Sequence, residues 1–160
     1  MAIEKVGNWK NVQALISNLG GAMLKARDLS LKRFSLKVEA NAKQHMSTQD
    51  LWSDKPLKPA TIAANIRKGE STEILIATAD YFQAITSWSQ QGIAFAGVRK
   101  QVKNSSGEVI ADIAKAHEFG LGNNPERKLW EPSFKETLAW FKTSDSTPVK
   151  LFAKEIEKFA

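Results

Sequence analysis

Any metal centre or general base in this chain has only two histidines to draw on, His45 and His117. His117-Glu118 begins the helical zinc motif H-E-x-x-H, in which two histidines one turn apart share a helix face with a general base. Position 121 is Leu121 rather than histidine, and Gly120 breaks the helix before it. The pair is therefore expected to make local hydrogen bonds at a helix end and to hold no metal. No serine, threonine or lysine stands in a nucleophile elbow. Gly120-Leu121-Gly122 lacks the rest of any phosphate-binding fingerprint. Paired carboxylates meet only in three dimensions and leave no sequence mark, but the acids here mostly stand beside basic residues, as on solvated helix faces. The absence of cysteine excludes disulfide, thiol, iron–sulfur and zinc-ribbon chemistry. The expectation is a protein that is not an enzyme and carries no cofactor.

What the sequence does concentrate is positive charge. The net charge is +6, and residues 1–49 hold eight Lys/Arg against three Asp/Glu, while residues 50–160 hold fifteen against fourteen. Lys25, Arg27, Lys32, Arg33, Lys37 and Lys43 project from one predicted helix. A cationic face of this kind suits nucleic-acid phosphates, an acidic protein surface or anionic lipid, or is simply solvated. Charge alone does not choose among them. No helix-turn-helix or zinc-finger pattern accompanies it. No apolar run approaches the roughly 20 residues of a bilayer span, so no membrane partner is expected. Met1-Ala2-Ile3-Glu4-Lys5 lacks the build of a secretory signal, which predicts a chain that stays where it is made.

These residues need elements to position them. A length of 160 residues, 42% apolar and 25% charged, predicts one globular domain spanning 1–160. Val12, Leu15, Ile16, Leu19, Ala22, Ala26, Leu29, Phe34, Val38 and Met46 recur at helical spacing. Gly20-Gly21 interrupts the stripe, predicting a short helix, a break, and a long basic helix over about 22–46. The basic helical part covers about 9–47. A motif-bearing α+β part follows over about 50–142, with a helix over 61–68 closed by Gly69. A helical turn is expected over 80–86 and strands over 92–98 and 108–111. These strands would be joined by a long hairpin tip at 99–107, which carries Arg99, Lys100 and Lys103. A helix over 112–118 ends at Phe119-Gly120. Ser133-Phe134-Lys135-Glu136 reads as a capping box opening a helix with Phe134, Leu138 and Phe141 on one face. Pro148 opens a last helix over about 148–160, with Val149, Phe152, Ile156 and Phe159 on a stripe. The fold class is α+β: a long N-terminal helix, a small antiparallel sheet with a long hairpin, and C-terminal helices.

Five tryptophans are more than such a chain needs. Trp52 and Trp130 lie in Pro-flanked segments, where a large aromatic anchors a loop or docks a partner, the first role being the commoner.

Three segments then stand out together. The first is Trp52-Ser53-Asp54-Lys55-Pro56-Leu57-Lys58-Pro59-Ala60-Thr61-Ile62, with Arg67-Lys68-Gly69 after it. The second is Ile74-Leu75-Ile76-Ala77-Thr78-Ala79-Asp80-Tyr81, with Ile85 following. The third is Ala116-His117-Glu118-Phe119-Gly120, then Asn124-Pro125-Glu126-Arg127-Lys128-Leu129-Trp130-Glu131-Pro132. In this order they resemble the virion-morphogenesis and tail-completion proteins of tailed bacteriophages, small neck proteins that finish a tail or join it to the head. The chain departs from that pattern at Ala79 (for glycine), Tyr81 (for leucine), Ala84 (for serine) and in the order Leu129-Trp130. The resemblance covers roughly residues 50–140. It implies a structural virion protein at the head–tail interface, made in the bacterial host cytoplasm. Such a protein acts as a homo-oligomeric ring, a hexamer or dodecamer, in a joining, completing or tail-terminator role. Its partners would be itself, neighbouring connector and tail proteins, and genomic DNA passing through the channel. Arg99, Lys100, Lys103, His117, Glu118, Phe119, Arg127 and Trp130 are the candidate interaction residues. Arg127 either grips a carboxylate on a neighbour or caps the helix that ends near Glu118. The alternative reading is a non-catalytic, basic nucleic-acid-binding protein.

Overall fold

The computed structural model describes residues 9–159. Met1–Lys5, read above for a leader, lie outside them, as do the side chains of Asn11, Leu15 and Phe159.

A 40-residue helix, α1 (Trp9–Thr48), runs through the whole basic segment and is about 60 Å long at 1.5 Å per residue. The break expected at Gly20-Gly21 does not occur. Ending a helix at glycine requires the left-handed conformation, and neither glycine has positive φ. Each costs about 1 kcal/mol relative to alanine, far less than the packing of the later turns supplies. From Ala22 onward α1 buries Ala22, Ala26, Ser30, Val38, Ala42, His45 and Met46. The predicted stripe is thus buried only in part. Val12 and Ile16 face solvent, because the described elements that cover α1 begin at Ala22, and Leu29 faces solvent on the side of α1 turned away from them. Gln49, in the left-handed conformation with φ 57°, closes the helix, and its N–H reaches the His45 carbonyl at 2.9 Å.

Gln49 also ties α1 to a distant segment. Its side-chain oxygen accepts from the Ile74 N–H at 2.9 Å, and its side-chain nitrogen donates to the Ile74 carbonyl at 3.2 Å. That pair holds the apolar run 74–76 as a bend. Between them lies α2 (Pro59–Lys68), with Pro59 in its first turn and Gly69 as the left-handed cap, φ 70°. Gly69 closes this helix as its sequence position predicts.

The short helix α3 (Asp80–Ala84) leads into β1 (Ile85–Gln90), which pairs antiparallel with β2 (Ile93–Val98) from Ile85↔Val98 to Gln90↔Ile93. The two-residue turn is Gln91-Gly92, with φ 48° and 81°, the double positive-φ geometry that matches strand twist. The partner of β2 therefore precedes it in sequence. The strand expected at 108–111 is replaced by the start of α4 (Ile110–Phe119), leaving a single bridge, Lys103↔Val109. Segment 99–107 is consequently a connection rather than a hairpin tip. It is tied by Asn104, whose side-chain oxygen accepts from the Ser106 and Glu108 N–H groups at 3.0 and 2.8 Å.

Gly120, φ 61°, ends α4. Helix α5 (Trp130–Thr143) begins three residues before the predicted capping box, so Ser133 is interior and its hydroxyl donates to the Leu129 carbonyl at 2.6 Å. Helix α6 (Pro148–Ile156) starts at Pro148 as expected, with a 3-10 turn, Glu157–Phe159, after it. It buries Leu151 and leaves Val149 77% exposed, a phase different from the expected stripe. Helices α5 and α6 and the hairpin lie along α1. The apolar core gathers Ala42, Met46, Trp52, Ile74, Tyr81, Ile85, Ile110, Ala114 and Leu129. The architecture is α+β with a long N-terminal helix, a two-stranded antiparallel sheet and C-terminal helices.

Candidate functional site

Three stretches distant in sequence meet where α4 ends and α5 begins. Glu118, on the last turn of α4, is buried. One carboxylate oxygen accepts from the Leu129 and Trp130 N–H groups at 2.7 and 3.0 Å, and the other from the Glu131 N–H at 3.1 Å. These are the orphan donors of the N-terminus of α5, where the helix dipole favours negative charge. Glu118 is therefore the cap of α5, supplied from another helix. This explains why α5 needs no local capping residue, and none is found at Leu129.

Arg127 is the second tie. It is 6% exposed, and its guanidinium donates to the Lys55 carbonyl (3.1 and 3.3 Å) and the Pro56 carbonyl (3.3 Å). Its backbone N–H donates to the His117 carbonyl at 2.7 Å. Neither expected role fits the guanidinium: it is occupied within its own subunit, and only the backbone of Arg127 closes α4. Burial pulls the guanidinium below its ordinary pKa. The two loop tryptophans add the third tie. Trp52, 2% exposed, donates from its indole to the Lys128 carbonyl at 3.2 Å. The Trp130 indole donates to the Tyr81 hydroxyl at 3.2 Å. Both act as loop anchors. Burial raises the Tyr81 pKa above its ordinary value.

Beside this clasp opens a groove of about 750 Å³, lined by Lys55, Leu57, Asn65, Tyr81, His117 and Arg127 among others. One wall is α2, which buries only Asn65. The His117 Nδ1 is buried and meets no hydrogen-bond partner among the described residues. Burial, and then the positive charge of Arg127, lower the His117 pKa and favour neutral imidazole. Among the described residues no group of three or more histidines and carboxylates is placed to hold a metal ion.

The other candidate residues lie apart. Phe119 is 65% exposed just outside the clasp. Arg99, Lys100 and Lys103 are exposed on the connection between β2 and α4. On α1, Lys25, Arg27, Lys32 and Arg33 are exposed, while Lys37 and Lys43 are half-buried. Arg27 pairs with Asp28 at 2.9 Å and Lys43 with Glu39 at 2.6 Å. Lys25, Lys32 and Lys43 are separated by nearly whole numbers of turns and so fall on one line along the helix. No helix among the described residues is long and apolar enough to cross a membrane.

Glu118 and Arg127 stand out in the sequence, but the role of each does not. Pro132 was the available signal: proline belongs in a first helical turn, which places the start of α5 near Trp130 and its orphan donors within reach of Glu118. No family model, curated protein or solved structure matches the chain.

Proposed function

We propose that the chain is a structural subunit of a tailed-phage neck, assembling as a homo-oligomeric ring that completes the tail or joins it to the head. The observation that carries this reading is the clasp. The three segments that bear the resemblance to tail-completion proteins are the same three that interlock through Trp52, Tyr81, Glu118, Arg127 and Trp130. They form one interlocked body built of loops and helix ends. Segments 121–126 and 99–107 are largely exposed around it, and such irregular surface suits contacts with neighbours above, below and beside a ring subunit.

The test is negative-stain microscopy of a phage lysate in which this gene is disrupted. Filled heads beside complete, detached tails are expected for a joining or completing role, and tails of uncontrolled length for a terminator. Normal infectious particles would overturn the reading. The exposed Lys25 and Lys32, two turns apart on one line of α1, favour a second one, a non-catalytic nucleic-acid-binding protein. Salt-sensitive binding of mixed-sequence DNA by the isolated subunit would move it to the front.

A further inference from the structure

The first three turns of α1 project beyond the described elements that cover the rest of the helix. Trp9, Val12, Ile16 and Met23 are 49%, 43%, 63% and 59% exposed, and Leu19 is half-buried. These five recur at alternating spacings of three and four, the repeat of a helix seam that packs against another helix. They continue the face that α1 buries further on, at Ala26 and Ser30. Between residues 9 and 24 the only charged side chain is Lys10. Nothing else in that stretch repels a like copy.

Gly20 and Gly21 give a second, independent indication. Mid-helix glycines weaken a helix by about 1 kcal/mol each, yet a Cβ at either would meet nothing within 4 Å. No contact among the described residues requires glycine there. A partner approaching closely would.

We propose that this seam pairs antiparallel with the same segment of a second copy of the chain. The spacing of positions 9, 12, 16 and 19 reads the same in both directions, so a two-fold axis through position 14 sets Trp9 against Leu19 and Val12 against Ile16. The bulky Trp9 ring then lies beside the partner's Gly20. The overlap stops just before Ala22, where the protein's own elements begin to cover α1. A parallel pair would instead drive the two bodies together. About three turns of overlap bury less than a permanent dimer does, so pairing is concentration-dependent. The proposal goes beyond the ring reading: a two-fold contact pairs subunits and does not by itself close a ring, whose side faces are heterologous.

The natural absence of cysteine makes the test direct. Sedimentation of the full chain over roughly 10–500 μM is expected to show reversible pairing. Ile16→Asp is expected to weaken it at least about tenfold, with circular dichroism and melting unchanged because position 16 is exposed. Lys32→Glu is expected to leave pairing intact. Under mild oxidation, a mixture of the Val12→Cys and Ile16→Cys proteins forms an interchain disulfide, while Trp9→Cys alone does not. A disulfide in Trp9→Cys alone would overturn the antiparallel arrangement. A wild type that stays monomeric with no disulfide in the mixture would overturn the pairing, as would Ile16-dependent binding of monomers to neutral lipid vesicles. Rings that form with no Ile16-dependent pairing remove the seam and leave the ring reading. Seam-dependent pairs that never form rings remove the ring reading and leave the seam.

Discussion

Glu118→Gln isolates the cap that α4 lends to α5. The wild-type carboxylate accepts from three backbone N–H groups at 2.7, 3.0 and 3.1 Å. Glutamine keeps one oxygen, which can hold the Leu129 and Trp130 N–H groups. Its amide nitrogen then faces the Glu131 N–H, donor against donor. The loss is one hydrogen bond to a charged acceptor, about 1.5–3 kcal/mol. The lost attraction between carboxylate and helix dipole adds about 0.3–1 kcal/mol. The expected destabilisation is about 2–4 kcal/mol, or roughly 5–15 °C in melting temperature for a chain of this size. Thermal and urea unfolding followed by circular dichroism would measure it. Glu118→Asp should be nearly as damaging, since the shorter side chain keeps its charge but cannot reach three donors. Glu131→Gln, in an exposed pair with Lys128 and Lys135 in the same first turn, serves as the control for lost charge alone and should move the midpoint by no more than about 1–4 °C. A Glu118→Gln protein melting within about 1 °C of wild type would refute the assignment of Glu118 as the cap.

Arg127→Lys keeps the charge but loses the planar fork that reaches two carbonyls, so urea unfolding should show a loss of about 1–3 kcal/mol. The His117 pKa is lowered in the folded state, so the unfolded chain binds more protons around and just below the ordinary value of 6.5. The contribution of His117 is therefore fully present above that pH and declines as pH falls toward the lowered folded value. His117→Gln should flatten the decline in unfolding free energy between about pH 7 and 5, and an unchanged slope would count against a buried neutral imidazole. In Gly20→Ala/Gly21→Ala, the isolated subunit should gain about 1–2 kcal/mol against local opening of the first turns of α1. Slower amide hydrogen exchange there would be the readout, and unchanged exchange would show that these turns are limited by something other than propensity.

Much of this fold is legible in local chemistry, and the misreadings share a cause. Gly69, Gly120 and Pro148 act on their own neighbours, and each marks the helix boundary its position predicts, whereas Pro59 opens a helix expected to start at Thr61. Gly20-Gly21 defies the same local rule. What carries α1 through the pair is packing of Ala22, Ala26 and Ser30 against distant elements, which no local window contains. Ile85-Thr86-Ser87-Trp88 is rich in β-branched and aromatic residues, yet its helical leader, α3, pulls the local pattern toward helix. Ser133 and Glu136 have capping-box spacing, but the donors at the start of α5 are already taken by a carboxylate on another helix.

The candidate site divides along the same line. Its residue types are visible because tryptophan, histidine and arginine near prolines attract notice. Their pairing is not, because Arg127 and Lys55 are joined through a backbone carbonyl that every residue possesses. Side chains that grip backbone leave no complementary residue to find, whereas a side-chain pair such as Asn41 and Thr137, 3.1 Å apart, at least has two partners to match. The exposed seam on α1 is the opposite case. Its spacing is plain and predicts a stripe that faces a core or a partner helix. Among the described residues only Ala22, Ala26, Val38 and Met46 of that stripe are buried. An apolar helix face that continues past its own subunit is an argument about a second molecule, and on this chain it is the sequence pattern, more than any cavity, that says which molecule fits.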